Sequence, residues 1–118
     1  MKMDYVVLGT NDMAAAVAFY DALFETVGVV QIGATDRMTY WGGEPFAFAI
    51  ALPFDGAAAA AGNGAMIGFG VGSEAEVDRL HALVLELGGT SEGAPGPRGP
   101  RYTGYARDLD GNKIAFYA

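Results

Sequence analysis

The sequence has no cysteine, a single histidine and only seven lysine and arginine residues. Without cysteine it can form no disulfide, no thiolate nucleophile and no cysteine-based zinc site. Fourteen acidic residues give the chain a formal net charge of -7. Because nucleic-acid binding requires lysine and arginine to replace the counterions of the phosphates, the sequence predicts no nucleic-acid partner. An acidic surface favours cationic partners, although net charge also serves solubility alone.

Long apolar runs are absent as well, although hydrophobic residues make up 52% of the chain. No stretch reaches the about 20 consecutive apolar residues of a membrane-spanning helix. No continuous apolar segment follows Met1–Asp4, so we expect no signal peptide. These features predict a cytoplasmic protein with no membrane contact. The length of 118 residues predicts a single domain, 1–118, with a core of its own.

What the sequence does contain is two similar halves. The first begins with a β-prone segment at 3–9, followed by helix-capping side chains at 10–12. Apolar residues then recur at spacings of three or four and predict a helix from Met13 to Gly28. Its apolar positions are Val17, Tyr20, Phe24 and Val27. Three further strands are predicted at 29–34, 37–42 and 45–52.

The second half follows a glycine-bracketed, alanine-rich stretch at 55–64, which is typical of a linker. It opens with a strand at 65–71 and a capping box of Ser73 and Glu76, whose side chains should each bind a free amide of the next helix. The apolar positions of that helix are Val77, Leu80, Val84 and Leu87. The remaining predicted segments are a weak strand at 90–94, a Pro/Gly loop at 95–101, and strands at 102–107 and 113–117.

The two halves form an internal repeat. Tyr5–Gly9 aligns with Met66–Gly70. Each half is therefore predicted to be a βαβββ module, and the fold class to be α+β. Since each helix has one apolar face, both helices should cover the convex side of a curved mixed sheet and leave the concave side for a ligand. The two modules are predicted at 1–54 and 65–118.

Three polar residues could suggest catalysis but have a structural explanation. Asp108 and Asp110 belong to a predicted hairpin turn that continues through Gly111 and Asn112, where aspartate accepts backbone hydrogen bonds. His81, the only histidine, lies on the flank of a helical apolar face, so we expect it to be partly buried and structural. None of the three is a predicted catalytic residue.

At this point the sequence resembles a known family. Leu8–Asp12 followed by Ala18–Leu23 is similar to the opening of glyoxalase, bleomycin-resistance and extradiol-dioxygenase proteins, together the vicinal oxygen chelate superfamily. Arg107–Asn112 resembles the closing motif of that family, with Leu109 in place of its usual proline. The resemblance runs the whole length of the chain and implies the paired βαβββ fold.

The resemblance also implies where metal ligands would lie in catalytic members of the family. Those positions correspond to Tyr5, to Met66, to Ala115 and to the neighbourhood of Ala47, where the family usually has histidine, glutamine or glutamate. A methyl group has no lone pair, thioether sulfur suits Cu(I), and a single phenol cannot hold a divalent cation. We therefore expect no metal and no other cofactor.

The remaining candidates for a site are small and aromatic residues on the concave face. Trp41 is included for ligand stacking, with packing in the core as the alternative. Arg98 and Arg101 could cover the pocket and meet an anionic group, although a solvated loop is the favoured interpretation. The predicted pocket residues are Tyr5, Trp41, Ala47, Met66, Tyr105, Ala115 and Tyr117.

Three functions fit these features. The favoured one is a metal-free binding protein of the glyoxalase/bleomycin-resistance type that holds a small apolar or aromatic molecule, which the acidic net charge would allow to be cationic. The second is a metal-dependent lyase, isomerase or dioxygenase with a displaced site. The third is an accessory domain with a vestigial pocket whose dimer is functional. The resemblance implies a homodimer in each case, and a second copy could cover the sheet edges.

Overall fold

The order of strand, helix and three strands occurs twice along the chain, as the repeat predicts. The computed structural model describes all 118 residues, and it divides them into two compact units, Met1–Ala60 and Ala61–Ala118. The boundary between the units lies within the predicted linker 55–64. Each unit holds one helix and one four-stranded mixed sheet. The predicted α+β class with two βαβββ modules is confirmed.

The first unit contains β1 (Tyr5–Gly9), α1 (Met13–Glu25), β2 (Gln31–Ala34), β3 (Met38–Gly42) and β4 (Ala47–Ala51). The second contains β5 (Ile67–Gly70), α2 (Glu74–Glu86), β6 (Thr90–Arg98), β7 (Arg101–Arg107) and β8 (Lys113–Tyr117). The strand orders are β1-β4-β3-β2 and β5-β8-β7-β6, so the two sheets repeat the same topology. Neither helix is long and apolar enough to cross a membrane.

Helix α1 begins where Asp12 caps it, because the carboxylate of Asp12 accepts a hydrogen bond of 3.0 Å from the amide of Ala15. Its buried residues include Tyr20 and Phe24, as the periodicity predicts. The helix ends at Glu25, so Val27 lies beyond it and is exposed, and its predicted place on the apolar face is wrong.

Helix α2 is capped by Ser73, whose hydroxyl accepts a hydrogen bond of 3.2 Å from the amide of Glu76. The other half of the predicted capping box does not form. Glu76 instead makes a bidentate pair with Arg79, at 2.8 and 2.7 Å, one turn further on. That hydrogen-bonded pair lowers the pKa of Glu76. The carboxylate of Glu76 therefore binds the side chain of Arg79 instead of a backbone amide.

Strand β6 corrects the predicted loop at 95–101. The strand runs through Pro95 and Pro97 to Arg98, and only Gly99 and Pro100 form the turn to β7. Its pairing with β7 is irregular, with register shifts between Ser91 and Gly96. An edge strand can include prolines because it has hydrogen-bonding partners on one side only. The Pro/Gly composition therefore indicates an edge strand here rather than a loop.

The turn between β7 and β8 forms as predicted. One carboxylate oxygen of Asp108 accepts hydrogen bonds of 2.9 Å from the amides of Asp110 and Asn112. Gly111 has a φ of +84°, which a residue with a side chain rarely adopts. Asp108 and Asn112 are both buried. Asp108 therefore has the structural role that the sequence indicates.

Candidate functional site

The positions that correspond to metal ligands in the family carry no suitable donors. Tyr5 lies directly opposite Ala47 in the parallel pair of β1 and β4, and Ala115 lies opposite Gly68 in the pair of β5 and β8. Met66 immediately precedes β5. No three histidine, cysteine, aspartate or glutamate side chains of the described chain are grouped so that they could hold a metal ion. The residues present do not fit the metal site of the family.

In the first unit, the sheet face that carries Tyr5 is apolar and aromatic. The ring of Tyr5 is 56% exposed and contacts the ring of Tyr40 edge-on, with 6.4 Å between centroids. The hydroxyl of Tyr40 donates to the sulfur of Met38 at 3.3 Å. Ala47, the register partner of Tyr5 on β4, adds little bulk to this face. This face offers contact area, and the guanidinium of Arg37 reaches it, donating to the same Met38 sulfur at 3.4 Å.

Trp41 does not lie on that face, and its prediction as a pocket residue is corrected. Its side chain is 0% exposed, and its ring packs against Tyr20 and Phe24 of α1 and against Phe48 of β4. The indole Nε1 donates a hydrogen bond of 2.9 Å to the carboxylate of Asp21. Side chains alternate along a strand, so Trp41 points to the helix side. Trp41 is therefore a residue of the hydrophobic core and does not stack on a ligand.

A groove of about 320 Å³ lies on the second sheet, on the face that α2 does not cover. Strands β5, β7 and β8 and the end of β6 form it. It is lined by Met66, Gly68, Arg98, Arg101, Thr103, Tyr105, Ala115 and Tyr117. Four predicted pocket residues, those on the second unit, thus come together. Tyr5 and Ala47 belong to the first unit and do not line this groove.

The shape of the groove depends on two glycines of β5, Gly68 and Gly70. The ring of Tyr117 lies across β5, where a Cβ atom added at Gly70 would be 3.3 Å from the Tyr117 hydroxyl. A Cβ atom at Gly68 would be 3.6 Å from the same ring. Ala115, with 2% of its surface exposed, forms the floor beside Tyr105, its partner across the β7–β8 pair. The groove is therefore bounded by two tyrosine rings.

Three cationic side chains contact these rings. The guanidinium of Arg101 lies 4.6 Å from the centroid of Tyr117. The guanidinium of Arg98 and the ammonium of Lys113 lie 5.7 and 5.1 Å from the centroid of Tyr105. None of the three forms an ion pair with a carboxylate.

The hydrogen-bonding partner of the acidic side chain Glu92 is Arg107, at 3.0 Å. This hydrogen bond, together with the charges of Arg107 and Lys113, lowers the pKa of Glu92. The groove therefore carries a local positive charge on a protein whose net charge is -7. Sequence reasoning named Arg98 and Arg101 but did not find Lys113. The alternation of β8 could have indicated it, because Lys113 shares a face with Ala115 and Tyr117.

A second cavity, of about 400 Å³, lies in the first unit where the predicted linker begins. The Arg37 side chain there donates a hydrogen bond of 2.9 Å to the carbonyl of Leu52 and stacks on the ring of Phe54. The amide of Asn11 exchanges two hydrogen bonds with the backbone of Ala59, at 2.7 and 3.1 Å. These polar groups hold the segment after β4 in place, so we assign them a structural role.

His81 is buried on the helix side of the second sheet. Its Nε2 lies 3.1 Å from the hydroxyl of Ser91 and 3.2 Å from the carbonyl oxygen of Tyr105. Only 6% of the residue is exposed, and it does not line the groove. The histidine therefore joins α2 to β6 and β7, as a structural residue.

Comparison with known proteins places this geometry in context. Residues 2–116 match the family model of the Glyoxalase/Bleomycin resistance protein/Dioxygenase superfamily. A crystal structure of a glyoxalase/bleomycin resistance protein from Albidiferax ferrireducens T118 is similar, with 36% identity, a TM-score of 0.89, and 98% of this chain and 96% of that chain covered. No curated protein matches the sequence.

Two further solved structures share the fold at lower identity. A glyoxalase-related enzyme from Fulvimarina pelagi has 22% identity and a TM-score of 0.80, with 99% of this chain and 87% of that chain covered. Lactoylglutathione lyase from Agrobacterium tumefaciens has 21% identity and a TM-score of 0.74, with 98% and 92% covered. At this level of identity the likeness concerns the fold alone.

Proposed function

The chain belongs to the glyoxalase/bleomycin resistance protein/dioxygenase superfamily, and we propose that it is a binding protein that holds a small, partly aromatic molecule without a metal ion. The observation that carries this proposal is the groove of the second unit, where Tyr105 and Tyr117 flank the small floor residue Ala115. A volume of about 320 Å³ accommodates a compound of one or two rings.

The chemistry of the lining supports binding over catalysis. The titratable side chains that line the groove are Arg98, Arg101, Tyr105 and Tyr117, with no carboxylate or imidazole among them. General acid–base catalysis near neutral pH is carried out most often by histidine, glutamate or aspartate, and the lining of the groove has none of these. Met66 adds a flexible, polarizable surface that adapts to irregular ligands.

The first test is a thermal-shift screen of small aromatic compounds on protein purified without chelators, together with metal analysis. A ligand at a hundred times its Kd stabilises the folded state by about 2.7 kcal/mol, which is a visible shift in Tm. We expect compound hits and less than stoichiometric zinc, nickel, manganese or iron. Stoichiometric metal would overturn the proposal in favour of the alternative, a metal-dependent enzyme with a displaced site.

A matched pair of variants locates the binding. Gly68→Val fills the groove at the ring of Tyr117, whereas Gly33→Val makes the same change in β2, where an added Cβ meets nothing within 4 Å. We expect the first variant to lose the compound-induced shift and the second to keep it. Equal shifts in both variants would place binding outside the groove.

We also propose that the protein is a homodimer and acts in the cytoplasm. Support for the dimer comes from edge strand β2 of the first unit, where Ile32 is 51% exposed and the preceding Val30 is 64% exposed. A second copy that covers this edge would bury both side chains. Light scattering on the purified protein, with Ile32→Lys as the variant, tests it. A monomeric wild-type protein at micromolar concentration would contradict the dimer.

A further inference from the structure

We propose that the groove selects ligands that carry an oxyanion on an aromatic body, with small aromatic carboxylic acids as the chemical class. This inference rests on the proposed function and names the ligand of the same groove. It replaces the cationic ligand that the acidic net charge suggested, because the charges that surround the groove are positive.

Arg98 and Arg101 face each other across the β6–β7 hairpin. The two residues are direct partners across the β6–β7 pair, on either side of the turn at Gly99 and Pro100. Side chains directly opposite each other in an antiparallel pair lie about 5 Å apart at Cβ, and like charges in this arrangement are destabilising. The hairpin thus brings two cations together at the groove without a carboxylate between them.

Both guanidinium groups are held over tyrosine rings of the groove. Arg98 is oriented by Tyr105 and by a hydrogen bond of 3.2 Å from its guanidinium to the carbonyl of Ala94. Arg101 is oriented by Tyr117. A guanidinium that stacks on a ring keeps N–H groups free at its edge, and arginine binds carboxylates through two parallel hydrogen bonds. An anion between the two arginines would relieve their repulsion.

The rest of the groove suits the aromatic body of the ligand. Beyond the arginines, the groove offers the tyrosine rings, the small floor at Ala115 and the thioether of Met66. These groups suit a flat apolar body and offer no counter-charge for an ammonium group. Lys113, at the Tyr105 ring, adds a third positive charge. A planar ring with a carboxylate at one end therefore matches both the arginines and the apolar part of the groove.

The test compares four probes of nearly equal size: benzoate, benzamide, benzylamine and phenyl phosphate. Binding to the full chain is measured by calorimetry at low and at moderate salt. We expect benzoate to bind about tenfold or more tightly than neutral benzamide, because hydrogen bonds to a charged group are the stronger ones. Benzylamine should bind most weakly. Tighter binding of phenyl phosphate than of benzoate would indicate a phosphate ester and overturn the carboxylate assignment.

Variants separate this inference from the proposed function. Arg98→Gln and Arg101→Gln should each lower benzoate affinity by about tenfold and leave benzamide affinity unchanged. Arg79→Gln, on α2 and paired with Glu76, is the matched control and should change neither. If benzoate and benzamide bind equally, the anion inference fails and the binding function stands. If no probe and no compound of the aromatic screen binds, the proposed function fails together with the inference.

A measurement without ligand gives an independent result. Because Arg98 and Arg101 also stack on tyrosine rings, a double-mutant cycle is needed to isolate their mutual repulsion. The variant that carries both Arg98→Gln and Arg101→Gln should be less stable in urea unfolding than the sum of the two single changes predicts, because the repulsion is relieved only once. Additive changes would show that the two cations do not repel each other and would contradict the inference.

Discussion

Trp41 and Asp21 are joined by a hydrogen bond of 2.9 Å from the indole nitrogen to a carboxylate oxygen, which links β3 to α1. Gln31 donates to the same carboxylate from β2, at 2.9 and 3.0 Å. The largest buried side chain of the core therefore has its one polar atom satisfied by a helix residue. Asp21 lies outside the apolar stripe of α1, and its carboxylate serves to bind the side chains of Trp41 and Gln31.

Asp21→Ala should lower the free energy of unfolding by about 1–3 kcal/mol, since it leaves a buried indole N–H without a partner. Urea unfolding followed by circular dichroism measures the change. Gln31→Ala, which removes only the exposed contacts to the same carboxylate, should change the free energy by less than about 0.5 kcal/mol. Equal losses in the two variants would argue against the hydrogen bond from Trp41.

The fluorescence of Trp41 offers a second check. The chain has one tryptophan, and its side chain is 0% exposed. We expect blue-shifted emission and very weak quenching by acrylamide in the native protein, with strong quenching after unfolding in urea. Efficient quenching of the native protein would place the ring at the surface, where a ligand could stack on it.

Gly89 allows a close approach of α2 to β7. A Cβ atom there would lie 2.5 Å from both the carbonyl oxygen of Arg107 and a methyl group of Val84. Gly89→Ala should therefore destabilise the protein by about 1–3 kcal/mol, measured by urea unfolding. Gly96→Ala, where an added Cβ meets nothing within 4 Å, is the control and should be close to neutral. A neutral Gly89→Ala would contradict the close approach.

Asp108 holds the last turn. Asp108→Ala should cost at least about 2 kcal/mol, because two amides and the side chain of Asn112 lose an acceptor at a buried site. Asp55→Ala removes a single exposed bond to the amide of Ala57 and should cost less than about 1 kcal/mol. Thermal and urea unfolding should agree on this order. The reverse order would show that the turn does not depend on Asp108.

The pair of Glu92 and Arg107 predicts a pH dependence. Its hydrogen bond lowers the pKa of Glu92 in the folded state, so the folded protein binds fewer protons than the unfolded chain. This contribution is present above the unfolded pKa of about 4.3 and is lost as the pH falls through the folded value. Glu92→Gln should therefore make stability less sensitive to pH between about 5 and 3.

Arg107→Gln tests the same pair from its other side, because it leaves the Glu92 carboxylate without its partner. Its stability should likewise depend less on pH than that of the unmodified protein. Because the Glu92–Arg107 pair is exposed, we expect a small difference that depends on salt. A Glu92→Gln profile parallel to wild type would contradict the pair.

The repeat and the turn motif were enough to predict the order of elements and the family. They did not predict the faces of β3, although a signal was present. In β4 the sequence Ala47–Ala51 alternates small and large residues, and Phe48 and Ile50 must face the helix because only they fill a core. Trp41 is the register partner of Phe48 and shares its face. Strand pairing, which a single sequence does not display, fixes the phase.

The sequence predicted only the weak strand at 90–94, and the extension of β6 to Arg98 was missed for a different reason. Glycine and proline are depleted in strands because most strands have neighbours on both sides, and Thr90–Arg98 has one on a single side. Only its extension to Arg98 brings this residue opposite Arg101. The charge of the groove therefore depends on tertiary pairing and could not be read from a net charge of opposite sign.

The ring of Tyr117 lies across Gly68 and Gly70, so one wall of the groove is a tyrosine ring that packs on bare peptide. Peptide groups are the same whatever the sequence, and a Cβ atom at Gly70 would already come within 3.3 Å of the Tyr117 hydroxyl. Changes of ligand preference during evolution, or by engineering, must therefore come from the opposite wall, where Arg98, Arg101 and Thr103 stand on the β6–β7 hairpin. Exchange of that hairpin alone between relatives should transfer selectivity from one protein to another.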